Sequence, residues 1–162
     1  MEIQMKVTQE KTKERKTSVA LYWDCQNVRV SLHQAKCLLN FAKVQGVVVI
    51  KRTYAYWRHE NRSFEEALYG LDFECINIAS FQKNSLDHKL IADCKSSVLN
   101  NPAIEIVIIV SGDGDFANLI RELKAKGKKV IVLAQPQVSQ KLIKLANEFY
   151  AVSQISFCEQ IA

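Results

Sequence analysis

The chain has 162 residues, 48% of them hydrophobic and only two of them proline, which is enough for one domain with a buried core and too little for two. Its 22 lysines and arginines exceed 17 aspartates and glutamates, for a formal net charge of +5 at pH 7. These figures exclude a low-complexity or disordered chain, no apolar run is long enough to cross a bilayer, and the basic excess suits a polyanionic partner rather than a membrane.

Residues 1–18 are polar and charged, with Lys11, Lys13, Arg15 and Lys16, and read as a flexible, solvated tail ahead of a domain spanning 19–162. They lack the apolar segment of a secretory signal, so a cytoplasmic location is expected. The five cysteines are odd in number and scattered, with no Cys-x-x-Cys pair, and predict reduced thiols rather than a disulfide frame or a zinc site.

Residues 19–23 form a short apolar strand that ends on Asp24. Val30, Ala35, Leu38, Leu39 and Ala42 then recur at helical spacing as far as Gly46. Residues 47–54 read as a second strand running into Tyr56-Trp57-Arg58, and 64–70 as a short helix. A third strand is expected over 73–79, followed by a helix carrying Leu86, Leu90, Ile91, Cys94 and Val98 that Asn100-Asn101-Pro102 ends. Residues 107–116 come next: Val-Ile-Ile-Val is too hydrophobic to alternate, the mark of a strand buried on both faces. It breaks at Ser111-Gly112 and sets Asp113 and Asp115 either side of Gly114. Phe116, Leu119, Ile120 and Leu123 share a helical face, with Gly127 as the stop. Residues 129–134 make a fifth strand and 139–149 a closing helix.

Strand and helix alternate throughout, which predicts a three-layer α/β/α, Rossmann-like domain with a mostly parallel sheet of about five strands. In the order 3-2-1-4-5, Asp24 and Asp113–Asp115 meet at the switch point, where open α/β sheets bind ligands. Asp87 starts the helix after strand three and faces the same edge. Asp93 lies six residues further, about 9 Å along the axis, and ranks behind the others. Carboxylates gathered there repel one another unless a cation joins them, and oxygen-only ligands favour a hard ion such as Mg²⁺. Each acid also has a structural alternative. Asp115 and Asp87 are good helix caps, and Asp24 is a good turn residue. Capping gives no reason, however, for four acids to converge.

Other chemistries fit poorly. The chain has no phosphate-binding Gly-x-x-x-x-Gly-Lys-Ser/Thr loop, no Gly-x-Gly-x-x-Gly after strand one and no Gly-x-Ser-x-Gly elbow. Asp113-Gly-Asp is not a calcium loop, because its twelfth position is Lys124. A phospho-receiver needs an aspartate where this chain has Ala79-Ser80, and His33, His59 and His88 lack metal-ligand spacing. Tyr56, Trp57, Arg58 and Lys83, with Ser111, are the candidate substrate contacts; aromatics beside arginine can stack bases, and they can equally pack a loop. Lys124, Lys126, Lys128 and Lys129 are expected to complement a helix C-terminus.

Four pieces together resemble the NYN domain of the PIN-like metal-dependent ribonucleases. They are Asp24-x-x-Asn27, Asp87-x-x-Leu90-x-x-Asp93, Ser111-Gly112-Asp113-Gly114-Asp115-Phe116 and Leu142-x-x-x-Ala146-x-x-Phe149. The resemblance implies a PIN-like sheet, a Mg²⁺ or Mn²⁺ site made by Asp24, Asp87, Asp113 and Asp115, Asn27 as a polar helper, and an endoribonuclease that cuts single-stranded RNA. One departure is present: Lys83 stands one residue further from Asp87 than the family pattern has it. A non-catalytic RNA-binding scaffold and a small-molecule phosphohydrolase are the rival readings. The sequence leaves self-association open.

Overall fold

The computed structural model describes residues 16–155, so the tail expected at residues 1–18 falls almost entirely outside the described residues. Strand and helix alternate as β1 (Ser18–Asp24), α1 (Leu32–Gln45), β2 (Val47–Ala55), α2 (Arg62–Gly70), β3 (Glu74–Asn77), α3 (Ser85–Cys94), β4 (Ile104–Val110), α4 (Ala117–Ala125), β5 (Lys129–Ala134), α5 (Gln140–Leu145), β6 (Glu148–Ala151) and α6 (Val152–Ile155). All neighbouring strands pair in parallel, in the order β3-β2-β1-β4-β5-β6. The expected three-layer, PIN-like arrangement is therefore the one observed, with a sixth strand added.

β1 and β4 lie at the centre because almost every residue in them is apolar, so both faces can be covered. Val19, Leu21 and Trp23 of β1 point to one face, with Ile106, Ile108 and Val110 of β4, beneath α1, α2 and α6. Ala20 and Tyr22, with Val107 and Ile109, point to the other face beneath α3, α4 and α5. Local signals set the helix ends. Ser31 caps α1 in a reciprocal pair with Gln34, and Asn61 caps α2 through the backbone N–H groups of Ser63 and Phe64. Gly127 follows α4 with φ +78°, a conformation only glycine adopts freely.

The closing helix expected over 139–149 stops at Leu145, and residues 148–151 are β6 instead. Asn147 makes the difference. Its N–H donates to the Val130 carbonyl (2.9 Å) and its Oδ1 accepts from the Val130 N–H (2.8 Å), which fastens the chain to β5. Phe149 and Tyr150 then pack on opposite faces, as strand residues must.

The lysine cluster divides on inspection of its partners. Lys124 donates to Leu145 O at the end of α5 (2.7 Å), and Lys129 pairs with Glu148 (3.3 Å). Lys128 does not complement a helix end as expected. It is buried just before β5 and donates to the carbonyls of Asn101 (2.5 Å) and Ile104 (2.6 Å), tying the turn before β4 to the sheet. Replacing it leaves two carbonyls without their charged donor, a loss of about 1–3 kcal/mol. Lys128→Met is expected to lower Tm by several degrees, at about 2–4 °C per kcal/mol for a chain of this size. Thermal melting against the wild type checks this, and an unchanged Tm would remove Lys128 from the framework.

Candidate metal centre at the switch point

The chain leaves β1 toward β2 on one side and returns to β4 on the other, so a crevice opens at the C-terminal ends of β1 and β4. Trp23 pairs with Val110 in register, which places Asp24 beside Ser111. Asp24 is buried and fully engaged. Its Oδ1 accepts the backbone N–H groups of Gln26 (3.2 Å) and Asn27 (3.1 Å), and its Oδ2 accepts the Ser111 hydroxyl (3.2 Å). Ser111 Oγ in turn accepts the Asp113 N–H (3.2 Å). Asn27 Oδ1 accepts the Gly112 N–H (2.8 Å), so the loops after β1 and β4 are joined twice. A Cβ at position 112 would lie 3.1 Å from Val138 Cα and 3.5 Å from Asn27 Oδ1, which is why a residue without one stands in this junction.

Asp113 Oδ1 accepts the Asp115 N–H (2.9 Å) and caps the short 3₁₀ turn Gly114–Phe116. Capping thus falls to Asp113 rather than to Asp115. Asp87 is no cap either: it lies in the first turn of α3, after Asn84, and is buried. Oxygens of Asp87, Asp113 and Asp115 all lie within 4.8 Å of one another. Asp24, Asn27, Asp87 and Asp113 line one crevice of about 260 Å³ together with Gln26, Tyr56, Asn84 and Leu86. Asp115 lines the adjoining hollow with Asp87 and His88.

The charge arrangement shows in the acids themselves. Burial pushes the Asp87 carboxyl up to about 7, helped by the neighbouring charges of Asp113, Asp24 and Asp115 and by its hydrogen bond with Asp115. Burial likewise lifts Asp24 to about 6, against the hydrogen bonds from Asn27, Ser111 and Gln26 that favour its ionised form. Such a set has oxygen donors only, no lysine or arginine lines the two hollows among the described residues, and it fits a hard divalent cation.

Several expected residues take other places. Trp57 is 3% exposed, donates its indole N–H to Thr53 O (3.2 Å) and packs on Phe64, so its ring faces are not open to a base. Ser111 is wholly buried and serves Asp24 rather than a substrate. Asp93 accepts the Tyr54 hydroxyl (2.8 Å) and pairs with Lys89 (3.0 Å) and Arg52 (3.9 Å), away from the crevice. Lys83 and Arg58 are exposed and do not line the crevice; Asn84, next to Lys83, does, in a left-handed conformation (φ 65°) that asparagine tolerates. Tyr56 lines the crevice. Gln26 and Asn84 were not singled out by the sequence, although each stands inside a motif that was.

An α/β domain with an acidic crevice at its switch point, lined by oxygens that could hold a cation, is thereby defined. Residues 18–154 match the NYN domain, and the chain belongs to that family. Members of the family are generally nucleases that use divalent metals. No curated protein matches it. Among solved structures, a crystal structure of S. aureus homoserine dehydrogenase superposes with a TM-score of 0.45 at 12% identity, over 85% of this chain and 32% of that one. This chain spans about a third of that protein's length, and the likeness carries no argument about its chemistry.

Asp24 and Asp87 hold protons more tightly folded than unfolded. Their contribution to stability is complete below the ordinary value of 3.8 and is lost as pH rises through about 6 and 7. Metal-free Asp87→Asn is therefore expected to gain stability relative to metal-free wild type between about pH 5 and pH 8. Melts of both proteins in chelator at the two pH values check this. A constant difference between them would show that Asp87 does not carry the raised pKa.

Proposed function

We propose that this protein is a metal-dependent endoribonuclease that hydrolyses phosphodiester bonds of single-stranded RNA at the crevice formed by Asp24, Asp87, Asp113 and Asp115. The observation that carries the reading is the meeting of Asp87, Asp113 and Asp115 oxygens within 4.8 Å, with buried Asp24 in the same crevice. Mg²⁺ or Mn²⁺ is the ion this donor set would hold. Bound there, it supplies positive charge against the scissile phosphate and makes water a better nucleophile.

The protein's own part is positional. Two backbone N–H groups and the Ser111 hydroxyl aim Asp24 into the crevice, so it has little freedom to lose when a ligand arrives. Asn27 spends its amide oxygen on Gly112 and fixes the loop that presents Asp113 and Asp115. Asp87, with a pKa of about 7, holds a proton near neutrality and has to release it when it becomes a ligand. The formal charge of +5 supports a polymeric anion over a small phosphate ester.

Asp113→Asn removes one charge while keeping shape and the capping acceptor. Like charges about 4 Å apart repel by up to about 4 kcal/mol at an effective dielectric near 20. Metal-free Asp113→Asn is expected to melt a few degrees above metal-free wild type, with the order narrowing or reversing in millimolar Mn²⁺, because only the wild type gains full linkage from binding. Cleavage of labelled single-stranded RNA should require Mg²⁺ or Mn²⁺ and vanish in Asp113→Asn. If metal shifts neither melting curve, the site is wrong.

RNA affinity should also fall steeply with salt, since each neutralised phosphate releases counterions. Binding titrations between about 50 and 200 mM salt measure the slope. A flat line would count against a polymeric substrate.

A further inference from the structure

Phe81 is 66% exposed, in the connection 78–84 between β3 and α3, whose other residues are polar apart from Ile78, which is buried, and Ala79. Leaving an aromatic ring in water forgoes the burial that usually places it in a core. The ring is nevertheless held in place. It stacks on Tyr56 with centroids 4.7 Å apart at 30°, and the His59 ring meets it edge-on at 5.0 Å.

Both segments that carry these rings are tied to the sheet end. Ile78 N–H donates to Ala55 O (2.9 Å), and Arg58 N–H donates to Asn77 Oδ1 (3.2 Å). Gln82 N–H donates to Ser80 Oγ (3.2 Å), and Ser85 N–H to Gln82 O (3.1 Å), so the connection that presents Phe81 is itself hydrogen-bonded. Tyr56 belongs to two structures at once. It backs Phe81 and it lines the crevice with Asp24, Asp87 and Asp113. Arg58 and Lys83, both exposed, stand on the two segments that bear the rings.

We propose that Phe81, backed by Tyr56 and His59, is the stacking seat for one unpaired base of the RNA strand whose backbone enters the aspartate crevice. The proposal rests on the nuclease reading above and adds to it a residue that selects unpaired strand. A base in a duplex has both faces covered by its neighbours, whereas an unpaired base has a face free for an exposed aromatic ring. Stacking on a single ring is tolerant of sequence, because every base offers a π-face. Positive charge from Arg58 and Lys83 on the same two segments suits the phosphates either side of that base.

The test measures binding of a fluorescently labelled single-stranded RNA by anisotropy in chelator, with wild type, Phe81→Ala and Phe81→Trp. The same oligonucleotide carrying an abasic site at successive positions, and a duplex of equal length, serve as comparisons. Phe81→Ala is expected to weaken single-strand binding by about 5- to 150-fold, the range that stacking one base carries. Phe81→Trp should retain or strengthen it. At one abasic position the wild type should fall to the level of Phe81→Ala, and duplex binding should be the same in all three proteins. In cleavage assays with Mn²⁺, Phe81→Ala should raise KM with little change in kcat, as for binding shared by ground and transition states.

If folded Phe81→Ala binds and cleaves as the wild type does, the stacking seat is refuted and the nuclease reading stands. Equal weakening with every abasic oligonucleotide would also refute it, by making Phe81 a loop-packing residue. Stacking-dependent binding without cleavage in Mn²⁺ would keep the seat and overturn hydrolysis. No binding to RNA by the wild type would overturn both.

Discussion

Carboxylates brought this close cannot all remain ionised without a counter-charge, and the parallel sheet gives them no room to separate. Asp24 is the last residue of β1, and Asp113 and Asp115 follow β4, the strand beside it. The hydrogen bonds Ser111 to Asp24 and Gly112 to Asn27 then lock the two loops together across the gap. Asp87 is carried in from the far side by α3, whose first turn packs at the same edge. Burial at this edge, with the neighbouring carboxylates adding to it, holds Asp87 near 7 and Asp24 near 6. A cation or a proton can relieve this crowding, and the balance between them ties metal affinity to pH.

The rest of the molecule is what such a site requires. β1 and β4 are packed against helices on both faces, so their backbones are held at the centre of the sheet. That rigidity lets short loops hold acids in place against their own repulsion. The stabilising core and the unfavourable edge are separate parts of the same strands. Residues 19–23 and 107–110 stabilise the fold, and the residues just beyond them hold the charge.

The rim follows a different logic. Trp57 and Phe81 are both aromatic residues near the end of β2 or β3, and either could stack a base. Trp57 lies over the α1–α2 side and is taken into the core, with its N–H satisfied by Thr53. Phe81 lies in the loop before α3 and stays at the surface with the rings of Tyr56 and His59 against it. The contrast comes from what each ring finds across from it, since their own chemistry is alike.

The sequence by itself determined the alternation of strands and helices and the burial of the two most apolar strands. It also placed Asp24, Asp87, Asp113 and Asp115 at the C-terminal ends of strands or the starts of the helices that follow them. All of these follow from short-range signals: apolar periodicity, turn residues and the rule that a helix after a strand starts at the strand's C-terminal end. Only the tertiary structure decided the rest. The strand order that makes β1 and β4 neighbours at the centre came from the packed chain. Leu142, Leu145 and Phe149 fit a helical spacing, yet Asn147 finds Val130 on a strand 17 residues earlier and turns the last part into β6. Asn27 and Ser111 read as helpers to a substrate, yet each bonds across more than 80 residues to the other loop. Asp93 read as a second-rank acid, and Tyr54, Lys89 and Arg52 took it up on the face of the sheet. The physical reason is the same in each case. A polar or aromatic side chain carries its donors, acceptors and faces in the sequence, but its partner is set by whatever the packed chain brings opposite it.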